Sequence, residues 1–315
     1  MIIKQIMNFL GGLSVFILGV RLLSESCEKI FARFVEKAFK KFGGRVLPAF
    51  STGVVVSAIS QSSVAVNSSI VSLVNCKAIK LKSACALIVG VNVGTTITTQ
   101  IISLSGLSFD LTSFAGFLAF VGIILSYFKK TKNVGEFLIG FGFIFLALDI
   151  IGASADYFKQ KDWFINFFKI KNPFLLFSYG ILIPSIMQSS ACLTGIMVVL
   201  SNAGILQFSS CVYLLLGANI GSCVGVFFSL NGKGKVSLQT ALFNLYINIF
   251  GAIVFFPIML LFPQGVTKIF TFLSPQVERQ MANFHTLYNV LSAFLVLPFL
   301  NFFVNLTNLK SPAIF

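Results

Sequence analysis

Gln61-Ser62-Ser63 interrupts a long apolar run, and the same tripeptide recurs as Gln188-Ser189-Ser190, 127 residues later. A second pair keeps that spacing: Gly90-Val91-Asn92-Val93-Gly94 and Gly217-Ala218-Asn219-Ile220-Gly221. Two separate polar motifs sharing one offset mark a duplicated unit. The chain that carries them is 57% hydrophobic and 10% charged, against the roughly 25% charge of a soluble domain, so lipid must serve as its solvent.

At membrane depth a polar break has a physical meaning. Backbone groups freed from a helix cost several kcal/mol each unless something binds them, so breaks survive where they line a cavity. The half-helices they create present N–H groups and partial positive charge, which suit a phosphate or a carboxylate. Freed carbonyls, hydroxyls and amide oxygens suit Na⁺. The first broken run supplies Gln61, Ser62, Ser63, Asn67, Ser68 and Ser69, and the second supplies Gln188, Ser189, Ser190 and Thr194. Asn92, Thr95, Thr96, Asn219 and Ser222 lie in spans that read as interrupted at their Gly-x-Asn-x-Gly segments. A lone Ser or Thr in such a setting more often braces helix against helix.

The distribution of Lys and Arg orients these pieces. Arg45 precedes the first broken run, and Lys77, Lys80 and Lys82 follow it. Basic loops collect on the cytoplasmic side, so residues 46–75 enter and leave on one side, as a re-entrant hairpin. The plan predicted is an all-α polytopic membrane protein with two inverted-topology repeats. Residues 1–132 form the first, with a hairpin at about 46–75. Residues 133–262 form the second, with a hairpin at about 173–201. A polar segment and a last transmembrane helix fill 263–315. This counts about seven crossings plus two hairpins. Basic residues concentrate in 21–45, 76–82, 129–132 and 233–235, which sets the N-terminus outside and the C-terminus inside. Residues 25–45 and 153–171 read as amphipathic helices in the interface.

Other classes are excluded by what the chain lacks or scatters. The net charge of +14 lies in short loops between apolar runs, which argues against nucleic acid as a partner. With one His and six dispersed Cys there is no transition-metal cluster, and no nucleophile–base pair suggests an enzyme. No carboxylate stands beside either Gln-Ser-Ser, so Na⁺ coupling is favoured over a proton relay. Near the end, Ala241-Leu242-Phe243-Asn244 with Asn248 echoes Ala282-Asn283-Phe284-His285 with Asn289. His285 reads either as a hydrogen bond between helices or as part of a coupling step.

The paired Gln-Ser-Ser hairpins, the paired Gly-x-Asn-x-Gly segments and the stretch 282–289 resemble the type II Na⁺/phosphate cotransporter family. The resemblance covers nearly the whole chain and looks like the bacterial short form, which lacks the C-terminal domain similar to the regulator PhoU. It implies Na⁺/phosphate symport by alternating access, with Na⁺ as coupling ion and no cofactor. Phosphate binding then falls to Gln61, Ser62, Ser63, Gln188, Ser189 and Ser190. Na⁺ binding falls to Gln61, Asn67, Gln188, Ser189, Ser190 and Thr194, with Asn92, Thr95, Asn219 and Ser222. The partners implied are inorganic phosphate, Na⁺ and the lipid bilayer of a bacterial inner membrane, with a homo-oligomer left open. Val64 and Ala191 stand where the family motif has a third Ser, Asn67 where Thr is common, Ser222-Cys223 where Thr-Thr is usual, and Asn244 where His is usual. Another small oxyanion as cargo, or a non-transporting membrane subunit of the same fold, are the competing readings.

Overall fold

The computed structural model describes residues 2–42, 45–106, 111–161 and 172–308, and among these there are helices and no strand. Five helices are long and apolar enough to cross a membrane, and a bent pair makes a sixth. The expectation of about seven crossings differs at 109–128, where the helix α5 (Leu111–Ser126) has 16 residues, fewer than the ~20 of a full span.

The first helix, α1 (Ile2–Phe42), has 41 residues and is continuous, about 60 Å long at 1.5 Å per residue. The expected division near residue 24, between a span and an interfacial helix, is absent. No Pro or Gly lies between residues 20 and 42, so nothing breaks the hydrogen-bond ladder there. α1 packs against α6 (Lys132–Phe158) in antiparallel register. Gly12 faces Ile150 and Ile151, Gly19 faces Gly140 and Ile144, and Lys29 reaches Glu136 at 3.2 Å. α6 also runs antiparallel to α5, through Gly122 against Gly135. Small residues at these crossings let backbones approach closely, the main attraction available between helices in lipid. α6 extends to Phe158, past the expected end of its span near 151, and residues 162–171 of the expected second interfacial helix lie outside the described residues.

Each broken run forms two short helices: α2 (Val46–Ser60) and α3 (Ser63–Asn75), then α7 (Pro173–Met187) and α8 (Ser190–Asn202). Asn172 caps α7, accepting from the amides of Phe174 and Leu175, and Pro173 takes the first turn. The helices that follow, α4 (Leu81–Ile102) and α9 (Phe208–Phe228), are uninterrupted. The Gly-x-Asn-x-Gly segments are therefore not breaks. Their glycines are close-approach points: a Cβ on Gly90 would strike the Phe50 carbonyl and one on Gly94 the Val54 carbonyl. In the second copy Gly217 meets Phe177 and Gly221 meets Ile181. Gly53 against Leu87 and Gly180 against Leu214 complete the set. Every one of these pairs recurs at the 127-residue offset.

That register fixes chain direction. Contacts advance from 50 opposite 90 to 54 opposite 94, so α2 and α4 run parallel, and α7 and α9 do likewise. Only residues 76–80 separate α3 from α4, so α3 ends where α4 begins. The α2–α3 pair therefore starts and finishes at the same end of α4, and α7–α8 does so at the same end of α9.

The remaining helices buttress these bundles. α10 (Lys235–Leu261) and α12 (Val277–Val296) bracket α11 (Pro263–Leu273). α11 falls where a polar connecting segment was expected. Its Phe270 packs on Phe208 and Phe284, with ring centroids 5.3 and 5.6 Å apart. The expected last span bends by 88° between α12 and α13 (Leu300–Leu306).

Candidate functional site

The two breaks have the same backbone geometry. Gln61 closes α2 at φ 53°, ψ 18°, and Gln188 closes α7 at φ 52°, ψ 25°. Both are left-handed, an uncommon conformation for a residue with a side chain. The next residues, Ser62 and Ser189, are extended, and α3 and α8 start one residue later. Each tripeptide thus reverses the chain and aims a new helix N-terminus.

Both tips line one cavity of about 290 Å³. Gln61, Ser62 and Ser63 enter from the first hairpin, and Gln188, Ser189, Ser190 and Thr194 from the second. Thr95, Thr98 and Thr99 enter from α4. Residues 127 apart in sequence are brought to the same space, which neither tripeptide alone predicts.

The tips are not equivalent in their bonding. Gln61 is fully engaged: its N–H donates to Ser57 O at 3.0 Å, its carbonyl accepts from Ser24 Oγ at 3.1 Å, its Oε1 accepts from Thr98 Oγ1 at 3.0 Å, and its Nε2 donates to Ala58 O. Ser62 Oγ caps α3 by accepting from Ala65 N at 3.3 Å. In the second tip Ser189 makes no side-chain cap on α8, and Gln188 is exposed to the cavity. The first tip is held by the protein; the second presents an open helix N-terminus and a projecting amide.

A wall that sequence reasoning missed comes from α1. Ile17, Val20, Arg21, Ser24, Glu25 and Glu28 all line the cavity, at the i, i+3, i+4, i+7 spacing of one helix face. The sequence expectation places Glu25 and Glu28 in an interfacial helix and Arg21 at the end of the first span. The stripe was present in the sequence, but a polar helix face does not reveal whether it meets headgroups or a cavity.

Four expected Na⁺ residues lie away from the cavity. Asn67 is buried on α3, and its Oδ1 has no partner among the described residues. Asn92 Nδ2 donates to Asn248 Oδ1 at 3.4 Å, and Asn219 Nδ2 donates to Asn289 Oδ1 at 3.3 Å. Ser222 bonds back to the Asn219 carbonyl at 2.8 Å. The two mid-helix asparagines thus tie α4 to α10 and α9 to α12, using the echoed Asn248 and Asn289. His285 joins the same brace: Nδ1 lies 2.8 Å from Thr99 Oγ1 and Nε2 lies 3.1 Å from Asn219 Oδ1. Thr99 also lines the cavity, so the brace reaches its edge through one side chain.

Comparison with known proteins gives a consistent relationship. A family model described as Na⁺/Pi-cotransporter matches residues 15–153 and 162–273. The chain is similar to "Uncharacterized protein YqeW" of Bacillus subtilis (strain 168), 26% identical over 98% of this chain and 99% of that one. It is also similar to "Putative inorganic phosphate export protein YjbB" of Escherichia coli (strain K12), 25% identical over 94% of this chain and 54% of that one. The chain thus spans about half the length of the latter. No solved structure matches it significantly.

Proposed function

This chain belongs to the Na⁺/Pi-cotransporter family, a family of phosphate transporters and not of enzymes, and we propose that it moves inorganic phosphate coupled to Na⁺ by alternating access around the two hairpin tips. The observation that carries this reading is the meeting of both Gln-Ser-Ser tips in one cavity. We read α1–α5 and α6–α10 as inverted repeats. The antiparallel register of α1 on α6, and the parallel register within each hairpin bundle, support that reading. The hairpins then dip into the membrane from opposite sides, and their half-helices end near its midplane.

Division of labour follows from chemistry. The uncapped N-terminus of α8, with Gln188, Ser189 and Ser190, offers donors to the phosphate oxygens, and Ser62 and Ser63 close the shell from the other tip. Among the Na⁺ candidates, those at the cavity offer oxygens: Gln61 and Thr95 on one side, Gln188, Ser189, Ser190 and Thr194 on the other. Asn92, Asn219 and Ser222 act in the brace that holds α4 and α9. Asn67, with its buried unpartnered Oδ1, stays a candidate cation ligand in another conformation of the hairpin.

Direction is a separate matter. The name of the Escherichia coli relative points to export, and a Na⁺-coupled carrier runs either way with its gradients. The test is labelled phosphate flux in proteoliposomes. An inward Na⁺ gradient is expected to drive phosphate uptake above the level with K⁺, with arsenate competing better than sulfate. Equal flux in Na⁺ and K⁺ would remove the coupling.

A further inference from the structure

The cavity wall supplied by α1 carries charge that neither hairpin tip supplies. Over residues 17–28 that face changes from apolar to charged: Ile17 and Val20, then Arg21, Ser24, Glu25 and Glu28. Ser24 fixes its register, donating to the carbonyl of Gln61 at 3.1 Å. One turn away, Arg21 Nε donates to Glu25 Oε1 at 2.7 Å. Arg21 is the basic side chain among the described residues lining the cavity. Its terminal nitrogens make no hydrogen bond to a described residue, and its side chain is 74% exposed.

An exposed i, i+4 ion pair adds little stability, so stability does not account for this arrangement. Its geometry suits recognition. Glu25 holds the guanidinium by the edge nitrogen and leaves the two terminal amino groups as a planar fork. Such a fork matches two oxygens of a tetrahedral oxyanion. The hairpin tips offer helix dipoles and neutral donors, each a partial charge; among the described residues lining the cavity the full positive charge is that of Arg21, on the wall that also carries Glu25 and Glu28.

We propose that Arg21 is a second anion-binding station of this cavity, at its charged end, where a phosphate oxyanion is held on its way between solution and the hairpin tips, with Glu25 as the positioning residue for the guanidinium. This rests on the phosphate-transport reading above. The station sets the affinity for the anion at that end, while the tips complete the transport step. A lipid phosphate headgroup carries the same chemistry and could fill the same fork, so the test must separate the two.

Equilibrium binding of labelled inorganic phosphate, in Na⁺, is measured for purified protein in a maltoside detergent that carries no phosphate. The wild type is compared with R21Q, R21K and E25Q, each checked for an unchanged unfolding temperature. R21Q is expected to weaken binding about tenfold, the loss of charge-assisted hydrogen bonds. R21K should recover part of that loss, and E25Q should weaken binding less than R21Q. In proteoliposomes, R21Q should raise the KM for phosphate offered at one membrane face and leave kcat near the wild-type value. Equal phosphate affinity of wild type and R21Q in detergent would overturn the proposal and leave the headgroup as the occupant. A folded wild type that binds no phosphate would defeat the cargo reading itself, and this station with it.

Discussion

At the residue scale, Gln61 and Gln188 share a backbone conformation and differ in what their side chains do. Gln61 is bound by Thr98, Ser24, Ser57 and Ala58, while Gln188 projects into the cavity. Their substitutions should therefore separate. Gln188→Ala is expected to reduce phosphate transport at least tenfold by loss of a ligand contact, with little change in thermal unfolding. Gln61→Ala should lower both, costing about 1 kcal/mol for each side-chain hydrogen bond lost. The left-handed φ of Gln61 adds a check. Gln61→Gly should be more stable than Gln61→Ala by about 1 kcal/mol, since glycine adopts that conformation without a Cβ clash. Thermal unfolding in detergent and Na⁺-driven uptake measured on the same preparations read both effects. The tripeptides were legible in sequence as paired breaks. Their inequality was not, because it depends on Thr98 and Ser24, which come from other helices.

At the element scale, the glycines of Gly-x-Asn-x-Gly explain why α4 and α9 hold their hairpins in register. In sequence these motifs read as interruptions, since Gly and Asn are poor helix residues in water. In a bundle, the missing Cβ at Gly90 lets the Phe50 carbonyl approach, and Asn92 finds Asn248. Helix propensity gave way to packing. Gly90→Leu and Gly217→Leu should each separate the hairpin from its helix, destabilising by about 1–3 kcal/mol and lowering the yield of folded protein on size exclusion. Gly11→Leu, where a Cβ meets nothing within 4 Å, should be tolerated. Charge distribution predicts that residues 46–75 begin and end on one side of the membrane; the parallel α2–α4 register puts both ends of the α2–α3 pair at one end of α4. Cysteines at Arg45 and Lys77 should accordingly be labelled from the same face of the membrane by an impermeant maleimide; labelling from opposite faces would mean that α2 and α3 form one span.

At the scale of the whole molecule, two hairpins of distant sequence meet α1 and α4 around one cavity, with the Asn–His brace behind it. The all-helical membrane class and the duplicated offset were open to sequence reading because apolar length and motif spacing are properties of the chain itself. The continuity of α1, its wall of the cavity, and the bend after α12 were not, because each depends on which neighbour a helix face meets. The central claim is that the two tips share one transport site. In a variant lacking the native cysteines, Val64→Cys and Ala191→Cys, on the cavity-lining face of the two tips, are combined and treated with a short reducible cross-linker. Cross-linking between the tips, with Na⁺-driven phosphate uptake lost on bridging and restored on reduction, is the expected result. Failure of the pair to bridge at any linker length, or a bridged protein that transports phosphate at the unbridged rate, would contradict it.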